Sequence, residues 1–246
     1  MSPDLTLAAT FWHDTLDSTN LEARRRISDG QSAALWLATA EQTAGKGRAG
    51  RSWVSPRGNL FATLLFPLGG DLKDAARLPF AMGVAGVEAL SGLGLSPGVQ
   101  LKWPNDLRAG RQKLGGILVE TVEQSSVNWA ICGIGINVAS APDGLDQKTT
   151  SLAALGAPPG LDAQMMLERL RPATARAIAL ACEDFDRLLA RWRMHAEGLG
   201  ERVRAQPGGQ VVEGVFEGLE PTGALRLRLA NGTVTVIHAG DVNLVE

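Results

Sequence analysis

The sequence predicts an α+β protein, with a mixed, largely antiparallel sheet backed by helices and a small all-β domain at the C-terminal end. Three observations carry this. β-Rich runs separated by short turns fill positions 99–138, apolar or amphipathic helical stretches fill 74–93 and 162–193, and hairpin signals crowd the tail. The 246 residues, 45% hydrophobic and 20% charged, suffice for one large and one small domain, placed at 1–197 and 198–246.

Taken in order, Phe11 to Leu16 has strand character, and Asp17-Ser18-Thr19-Asn20 then offers capping oxygens. Thr19 and Glu22 stand at capping-box spacing, so a helix is expected to about Ser28, stopped at Asp29-Gly30. Ala33 to Ala40 reads as a buried strand and Asn59 to Phe66 as another. From Asp74, as the capping residue, to Leu93 the apolar, alanine-rich pattern predicts a core helix ended by Gly92 and Gly94. Val99–Trp103, Gly115–Val122 and Val127–Val138 follow as consecutive antiparallel strands. Asp162 caps a helical region to about Arg193, in which Pro172 predicts a kink or break near Arg171. Beyond Gly198, Pro207-Gly208-Gly209, Pro221-Thr222-Gly223 and Asn231-Gly232 punctuate four or five short strands, which predicts a five-stranded barrel of SH3-like type.

The net charge of −2 supplies no global field toward nucleic acid or an acidic membrane, so any basic site is local. Two cysteines, Cys132 and Cys182, are too few for a disulfide scaffold and read as small buried residues. No leader pattern and no apolar run of membrane-spanning length is present, and the expected compartment is the cytoplasm. The three histidines, His13, His195 and His238, are far apart and lack metal-ligand spacing; no Ser/His/Asp or Cys/His arrangement points to a protein nucleophile.

Positive charge is concentrated in one loop. Gln42 to Gly58 holds four glycines and four cationic side chains, with no acidic residue between Glu41 and Asp71. Its glycines let backbone approach a ligand, while Lys46, Arg48 and Arg51 can surround a phosphate or carboxylate. Gly45, Gly47 and Gly50 match a dinucleotide fingerprint in spacing only, since Pro56 and Gly58 disfavour the helix it requires, and Gly47 stands where a P-loop has Ser or Thr. Three further clusters follow. Leu101-Lys102-Trp103-Pro104-Asn105-Asp106 sets an amide beside a carboxylate, suited to a nucleoside triphosphate directly or through Mg²⁺, though Pro-Asn-Asp alone is also an ordinary turn. Lys113-Leu114-Gly115-Gly116-Ile117 brings an ammonium and bare backbone to one spot, and Gly133-Ile134-Gly135-Ile136-Asn137 ends a buried strand with an amide.

Together with Asp17-Ser18-Thr19-Asn20, these clusters closely resemble the biotin protein ligase family, in the form without an N-terminal DNA-binding domain. The motifs run from about Phe11 to Val138, and the layout matches to the C-terminus. The resemblance implies a biotin/lipoate ligase-like catalytic domain that forms biotinyl-5′-AMP from biotin and ATP, with Mg²⁺, and then biotinylates a lysine of a biotin carboxyl carrier protein or domain. It implies that Ser18, Thr19, Asn20 and Gln42 hold the ureido ring of biotin. Lys46, Gly47 and Arg48 lie near its tail and the α-phosphate, and Lys113, with Gly115 and Gly116, stands at the reacting carboxylate. Arg51, Trp53, Asn105, Asp106 and Asn137 bind the nucleotide, and Asp106 is the Mg²⁺ ligand. Lys113 and Arg48 are the catalytic pair. Lys46 stands where arginine is frequent in the family, keeping the charge without the bidentate geometry.

The same resemblance implies that the glycine-rich loop closes over the adenylate. Only about ten residues precede the first strand, so no DNA binding is expected, and an exposed sheet edge leaves a homodimer open. Two alternatives stand beside the reading: a lipoate–protein ligase, and a catalytically silent biotin-binding sensor.

Overall fold

The computed structural model describes residues 5–69 and 72–245; the outer limits of the two expected domains, Met1 and Glu246, lie outside them. The first sheet has seven strands: β1 (Ala9–His13), β2 (Leu35–Thr39), β3 (Leu60–Pro67), β4 (Val99–Lys102), β5 (Asp106–Ala109), β6 (Gln112–Gln124) and β7 (Val127–Ile136). Their order is β1-β2-β3-β7-β6-β5-β4; β1 and β2 run parallel, joined through helix α1 (Thr19–Ser28), and every other neighbouring pair is antiparallel.

All five residues of β2 are buried, because both faces of the sheet are covered at that point. Trp36 and Ala38 point into the main core with α2 (Leu78–Leu90), α3 (Ala163–Glu183) and α4 (Phe185–Met194). Leu35 and Leu37 point the other way, onto Ala23 and Ile27 of α1. α1 is short, so beyond its first turn the same face lies uncovered. That face carries Phe61 and Thr63 of β3, Gly133 and Gly135 of β7 and Gly116 of β6, one residue out of register with the core-facing Ala62, Ile134 and Ile117.

Several local expectations are corrected. α1 begins after Ser18, and neither Ser18 nor a Thr19–Glu22 box caps it; the Thr19 hydroxyl turns to Gln42, and Glu22 pairs with Arg25 and Arg26. Asp74 lies within a 3₁₀ turn (Leu72–Arg77) and pairs with Arg77 instead of capping α2. Pro172 does not break α3. The break falls at Asp184, whose Oδ1 accepts from the Arg187 N–H at 2.9 Å and starts α4. Asp162 does cap α3, accepting from Met165 N–H at 2.8 Å. Pro104-Asn105-Asp106 is not only a turn: Asp106 opens β5, paired on both sides. Cys182 is exposed; only Cys132 is buried.

The C-terminal region forms a second sheet of β8 (Arg202–Gln206), β9 (Val212–Leu219), β10 (Leu225–Arg228), β11 (Val234–Ile237) and β12 (Asp241–Leu244). All its pairs are antiparallel, in the order β11-β10-β9-β8-β12, so five strands form as expected but the sheet is open and not a closed barrel. Trp103 docks it onto the first domain, its Nε1 donating to Gly223 O at 3.0 Å. β12, an edge strand, faces the uncovered trough of the large sheet. No helix among the described residues is long and apolar enough to cross a membrane.

Candidate active site

The trough is a cavity of about 540 Å³ between the start of α1, the glycine-rich loop, β5–β7 and β12. Its bed is one cross-strand row, Phe61↔Gly135↔Gly116↔Asp106↔Lys102, running over β3, β7, β6, β5 and β4. Pleating puts these side chains on one face, with neighbouring strands about 4.8 Å apart. Two adjacent positions, Gly135 and Gly116, are glycine, and Trp53 uses the space: a Cβ on Gly135 would stand 2.8 Å from its Nε1. That Nε1 is buried and has no hydrogen-bond partner in the protein.

One end of the cavity is a buried polar knot. Ser18, Thr19 and Asn20 are 2%, 4% and 4% exposed. Gln42 Oε1 accepts from Thr19 N–H at 2.9 Å, while its Nε2 donates to Ser55 Oγ at 2.9 Å, fixing the loop to the start of α1. Asn20 Nδ2 donates to Glu120 (2.8 Å) and to Leu118 O (3.3 Å), and its Oδ1 lies 2.7 Å from the Thr63 hydroxyl. Arg24 holds the other oxygen of Glu120 at 2.8 Å. Both donors of Asn20 are thus occupied, and Thr63 and Glu120, which sequence reading left unassigned, set its orientation. Gly45 packs so closely here that a Cβ would meet Ser55 Oγ at 2.6 Å.

The other end is cationic. The loop doubles back through Trp53 N–H to Gly45 O (2.9 Å) and Gly47 N–H to Arg51 O (2.7 Å), with Arg48 at the start of its tip. Lys46, Gly47, Arg48 and Arg51 all border the cavity. Arg48 Nη1 donates to Asn105 Oδ1 at 3.0 Å, and Asn105 Nδ2 to Ile117 O at 2.6 Å. Lys113 Nζ lies 2.8 Å from Asp106 Oδ1 and 5.2 Å from the Trp53 ring centre. Asn137, 2% exposed, donates to Thr150 O at 3.0 Å but leaves its buried Oδ1 without a partner.

Of the sequence-derived residues, Gly115 alone does not line the cavity. It is buried in the sheet with Leu107 and the Gly135 carbonyl against it, so it lets strands pack and offers a ligand nothing. Sequence reading also missed the contribution of β12: Asp241, Val242 and Asn243 border the cavity. Asp241 takes both terminal nitrogens of Arg51 at 3.1 Å, and Asn243 Oδ1 accepts from Lys102 Nζ at 2.8 Å. No motif announces this, because the approach depends on how two domains dock. Burial pushes the Lys102 ammonium below the usual lysine range, partly offset by the charge of Asp106.

A buried polar knot at one end of a trough and five basic side chains at the other, Lys46, Arg48, Arg51, Lys102 and Lys113, define a site for an acid joined to a nucleoside phosphate. The comparisons with known proteins give the same class. Residues 12–137 match the Biotin/lipoate A/B protein ligase family and residues 198–245 the Biotin protein ligase C terminal domain, and the chain belongs to this family. It is 39% identical over 235 residues to a biotin–[acetyl-CoA-carboxylase] ligase of Paracoccus denitrificans, covering 92% of this chain and 96% of that one. The fold superposes on the biotin protein ligase from Aquifex aeolicus in complex with biotin and ATP with a TM-score of 0.80, at 25% identity, over 96% and 99% of the two chains. The biotin protein ligase from Leishmania major in complex with biotinyl-5-AMP gives 0.62 at 26% identity, over 95% and 99%.

Proposed function

We propose that this chain is a biotin–[biotin carboxyl carrier protein] ligase: it condenses biotin with ATP to biotinyl-5′-AMP and transfers the biotinyl group to a lysine of an acceptor protein. The observation that carries the reading is the meeting of Arg48, Lys113, Asn105 and Asp106 at one end of a cavity whose other end is the buried Ser18–Asn20 knot.

In this reading the ureido ring of biotin lies at Ser18, Thr19, Asn20 and Gln42, and its carboxylate reaches toward Lys113. A carboxylate oxygen attacks the α-phosphorus of ATP, the bond from that phosphorus to the β-phosphate bridging oxygen breaks, and pyrophosphate leaves with the electron pair. Arg48 and Lys113 hold the negative charge that gathers on the α-phosphate, in a site where fixed cations act more strongly than in water. Next, the unprotonated amine of an acceptor lysine attacks the anhydride carbonyl, an amide forms, and AMP departs as the nitrogen loses its proton. The loop with Lys46, Gly47 and Trp53 keeps water from the anhydride. Arg51, Asn105 and Asn137 serve the nucleotide, Asn137 through its unpartnered Oδ1.

Mg²⁺ is commonly bound by one or two carboxylates completed by substrate phosphates. Asp106, facing the cationic end, fits as that single protein ligand. No cluster of three or more metal-binding side chains occurs among the described residues, which suits an ion that arrives with ATP. The ion supplies neutralisation of the departing pyrophosphate. The acceptor is a biotin carboxyl carrier domain. The two cysteines are both free, which fits a reducing compartment, and the reaction is assigned to the cytoplasm.

Incubation with ATP, Mg²⁺, biotin and a carrier domain, followed by intact-mass analysis, is expected to show one biotinyl addition. Parallel ATP/pyrophosphate exchange is expected with biotin and not with lipoate, since a polar knot built for a ureido group rejects an acid that lacks it. Exchange with lipoate alone would overturn the reading.

A further inference from the structure

Two chains of hydrogen bonds meet at Thr19, and each can run in one direction only. The first starts on the large sheet. Glu120 Oε1 is held by Arg24 at 2.8 Å, which leaves Oε2 to accept from Asn20 Nδ2 at 2.8 Å. Leu118 O, 3.3 Å from the same nitrogen, can likewise only accept, so the Asn20 amide cannot turn over. Its Oδ1 therefore faces Thr63, whose hydroxyl oxygen lies 2.7 Å from it and 2.8 Å from Thr19 Oγ1. A hydroxyl has one proton to give, and an amide oxygen has none. Thr63 thus donates to Asn20, and Thr19 donates to Thr63.

The second chain starts in the glycine-rich loop. Trp53 O accepts from the Ser55 hydroxyl at 3.0 Å, so Ser55 Oγ is free to accept from Gln42 Nε2 at 2.9 Å. This turns Gln42 Oε1 toward Thr19, where it accepts from the backbone N–H at 2.9 Å. The Thr19 hydroxyl lies farther from that oxygen, at 3.3 Å, and has already given its proton to Thr63.

Both chains thereby end in lone pairs. Thr19 and Gln42 border the cavity, and Thr19 Oγ1 and Gln42 Oε1 meet a ligand there as acceptors. A head group that settles against them must bring donors, as the two ring N–H groups of a cyclic urea do. Glu120 itself does not line the cavity. We infer that Glu120 is a positioning residue: its carboxylate fixes the direction of the hydrogen bonds through Asn20 and Thr63, so that Thr19 and Gln42 select the acid by its N–H donors. This inference rests on the proposed biotin site.

The test is the variant Glu120→Gln, which keeps the size of the side chain but gives it one acceptor and one donor end. Arg24 can only donate, so it draws the single amide oxygen and turns the NH₂ group to Asn20, reversing the chain as far as Thr19. Calorimetric titration with biotin is expected to show an affinity about tenfold weaker, the scale of one hydrogen bond. The KM for biotin rises with it, while kcat at saturating biotin and the KM for ATP stay close to those of the unaltered chain. Adding Arg24→Ala frees the amide to turn its oxygen back to Asn20, so the double variant is expected to recover most of the lost affinity; a side chain that merely packed would give no such rescue. The Arg24 and Glu120 side chains are 39% and 27% exposed, so neither change opens the core. Full affinity in Glu120→Gln, or a loss that Arg24→Ala leaves in place or deepens, would overturn the inference. Failure of the unaltered chain to bind biotin would overturn the proposed site instead.

Discussion

The indole of Trp53 rests against the bare backbone of Gly135: a Cβ on that residue would stand 2.8 Å from the ring nitrogen and 2.9 Å from two ring carbons. Gly116 on the adjacent strand lies nearly as close, with its Cβ position 3.1 Å from the ring. Glycine here makes room for an aromatic wall of the cavity; neither residue needs a positive φ.

Gly135→Ala therefore displaces Trp53 or strains β7, at a cost on the scale of about 1–3 kcal/mol for overpacking. Trp53→Ala removes the clash, so the double variant is expected to recover most of the stability that Gly135→Ala loses. Urea unfolding of the four proteins in the cycle checks this, and strictly additive effects would show that the two residues do not meet.

Lys113 sits between Asp106 and the Trp53 ring, partly buried, where an ammonium opposes charge on an acyl phosphate. Lys113→Ala is expected to slow adenylate formation by about 10²–10³, equivalent to ~2.7–4 kcal/mol for a preorganised electrostatic group. Lys113→Arg keeps the charge and is expected to fall between. Single-turnover formation of biotinyl-5′-AMP measures both, and a loss below about tenfold would remove Lys113 from the catalytic role.

Much of the site was readable because its chemistry is local. The glycines and cations of residues 45–51 are neighbours in sequence, and Lys113-Leu114-Gly115-Gly116 places the ammonium and bare backbone within one strand. What escaped depends on distance along the chain. Asp241 and Asn243 reach Arg51 and Lys102 only after the second domain docks, and Glu120 reaches Asn20 across about a hundred positions. β5 was missed because Pro104-Asn105-Asp106 carries turn chemistry, overridden by pairing on both sides of the strand. Pro172 misled in the opposite sense, since packing of α3 on the core holds the helix together past a residue with no N–H to donate.

Arg51 and Asp241 link the tip of the glycine-rich loop to β12 by two 3.1 Å hydrogen bonds, with both side chains more than half exposed. Such a pair contributes at most about 1 kcal/mol to global stability. Its effect is local. Asp241→Asn is expected to leave the urea midpoint nearly unchanged while speeding amide exchange in the loop, notably at Gly47 and Trp53. Biotinyl-5′-AMP is expected to slow exchange across residues 42–58 in both proteins. Equal protection with and without the adenylate would refute a closing loop.

Asp17 precedes the polar knot and takes two hydrogen bonds from the Arg25 guanidinium, at 2.9 and 2.8 Å, and one from Ser18 N–H at 2.7 Å. Arg25 foremost, then the Ser18 N–H, lowers its pKa from 3.8 to about 2 against a desolvation cost. A depressed carboxylate pKa stabilises the fold above the unfolded value and loses that stabilisation as pH falls through the folded one. The contribution is thus whole above about pH 4 and gone near pH 2. With the Asp17 side chain 38% exposed, solvent screening keeps it under about 1 kcal/mol. Asp17→Asn is expected to flatten the fall in stability between pH 4 and 2; identical slopes for the two proteins would show that Arg25 does not hold Asp17 in solution.

Asn59, fully buried at the start of β3, gathers the chain where it leaves β7. Its Oδ1 accepts from the N–H groups of Val138, Ala139 and Ser140 at 2.9, 3.0 and 3.2 Å, and its Nδ2 donates to Ser140 O at 2.9 Å. The segment so pinned continues to Pro142, Leu145 and Thr149, which line the cavity. Asn59→Ala leaves three donors and one acceptor unpaired, and each buried group stranded in this way costs about 1–3 kcal/mol unless water reaches it. A loss of at least ~2 kcal/mol in urea unfolding is therefore expected, together with a raised KM for ATP. Asn59→Asp keeps the acceptor but sets a carboxylate against the Ser140 carbonyl, so it is expected to restore little of that stability. A change below about 0.5 kcal/mol for Asn59→Ala, the size usual for a surface substitution, would mean that the segment after β7 is held by something other than this side chain.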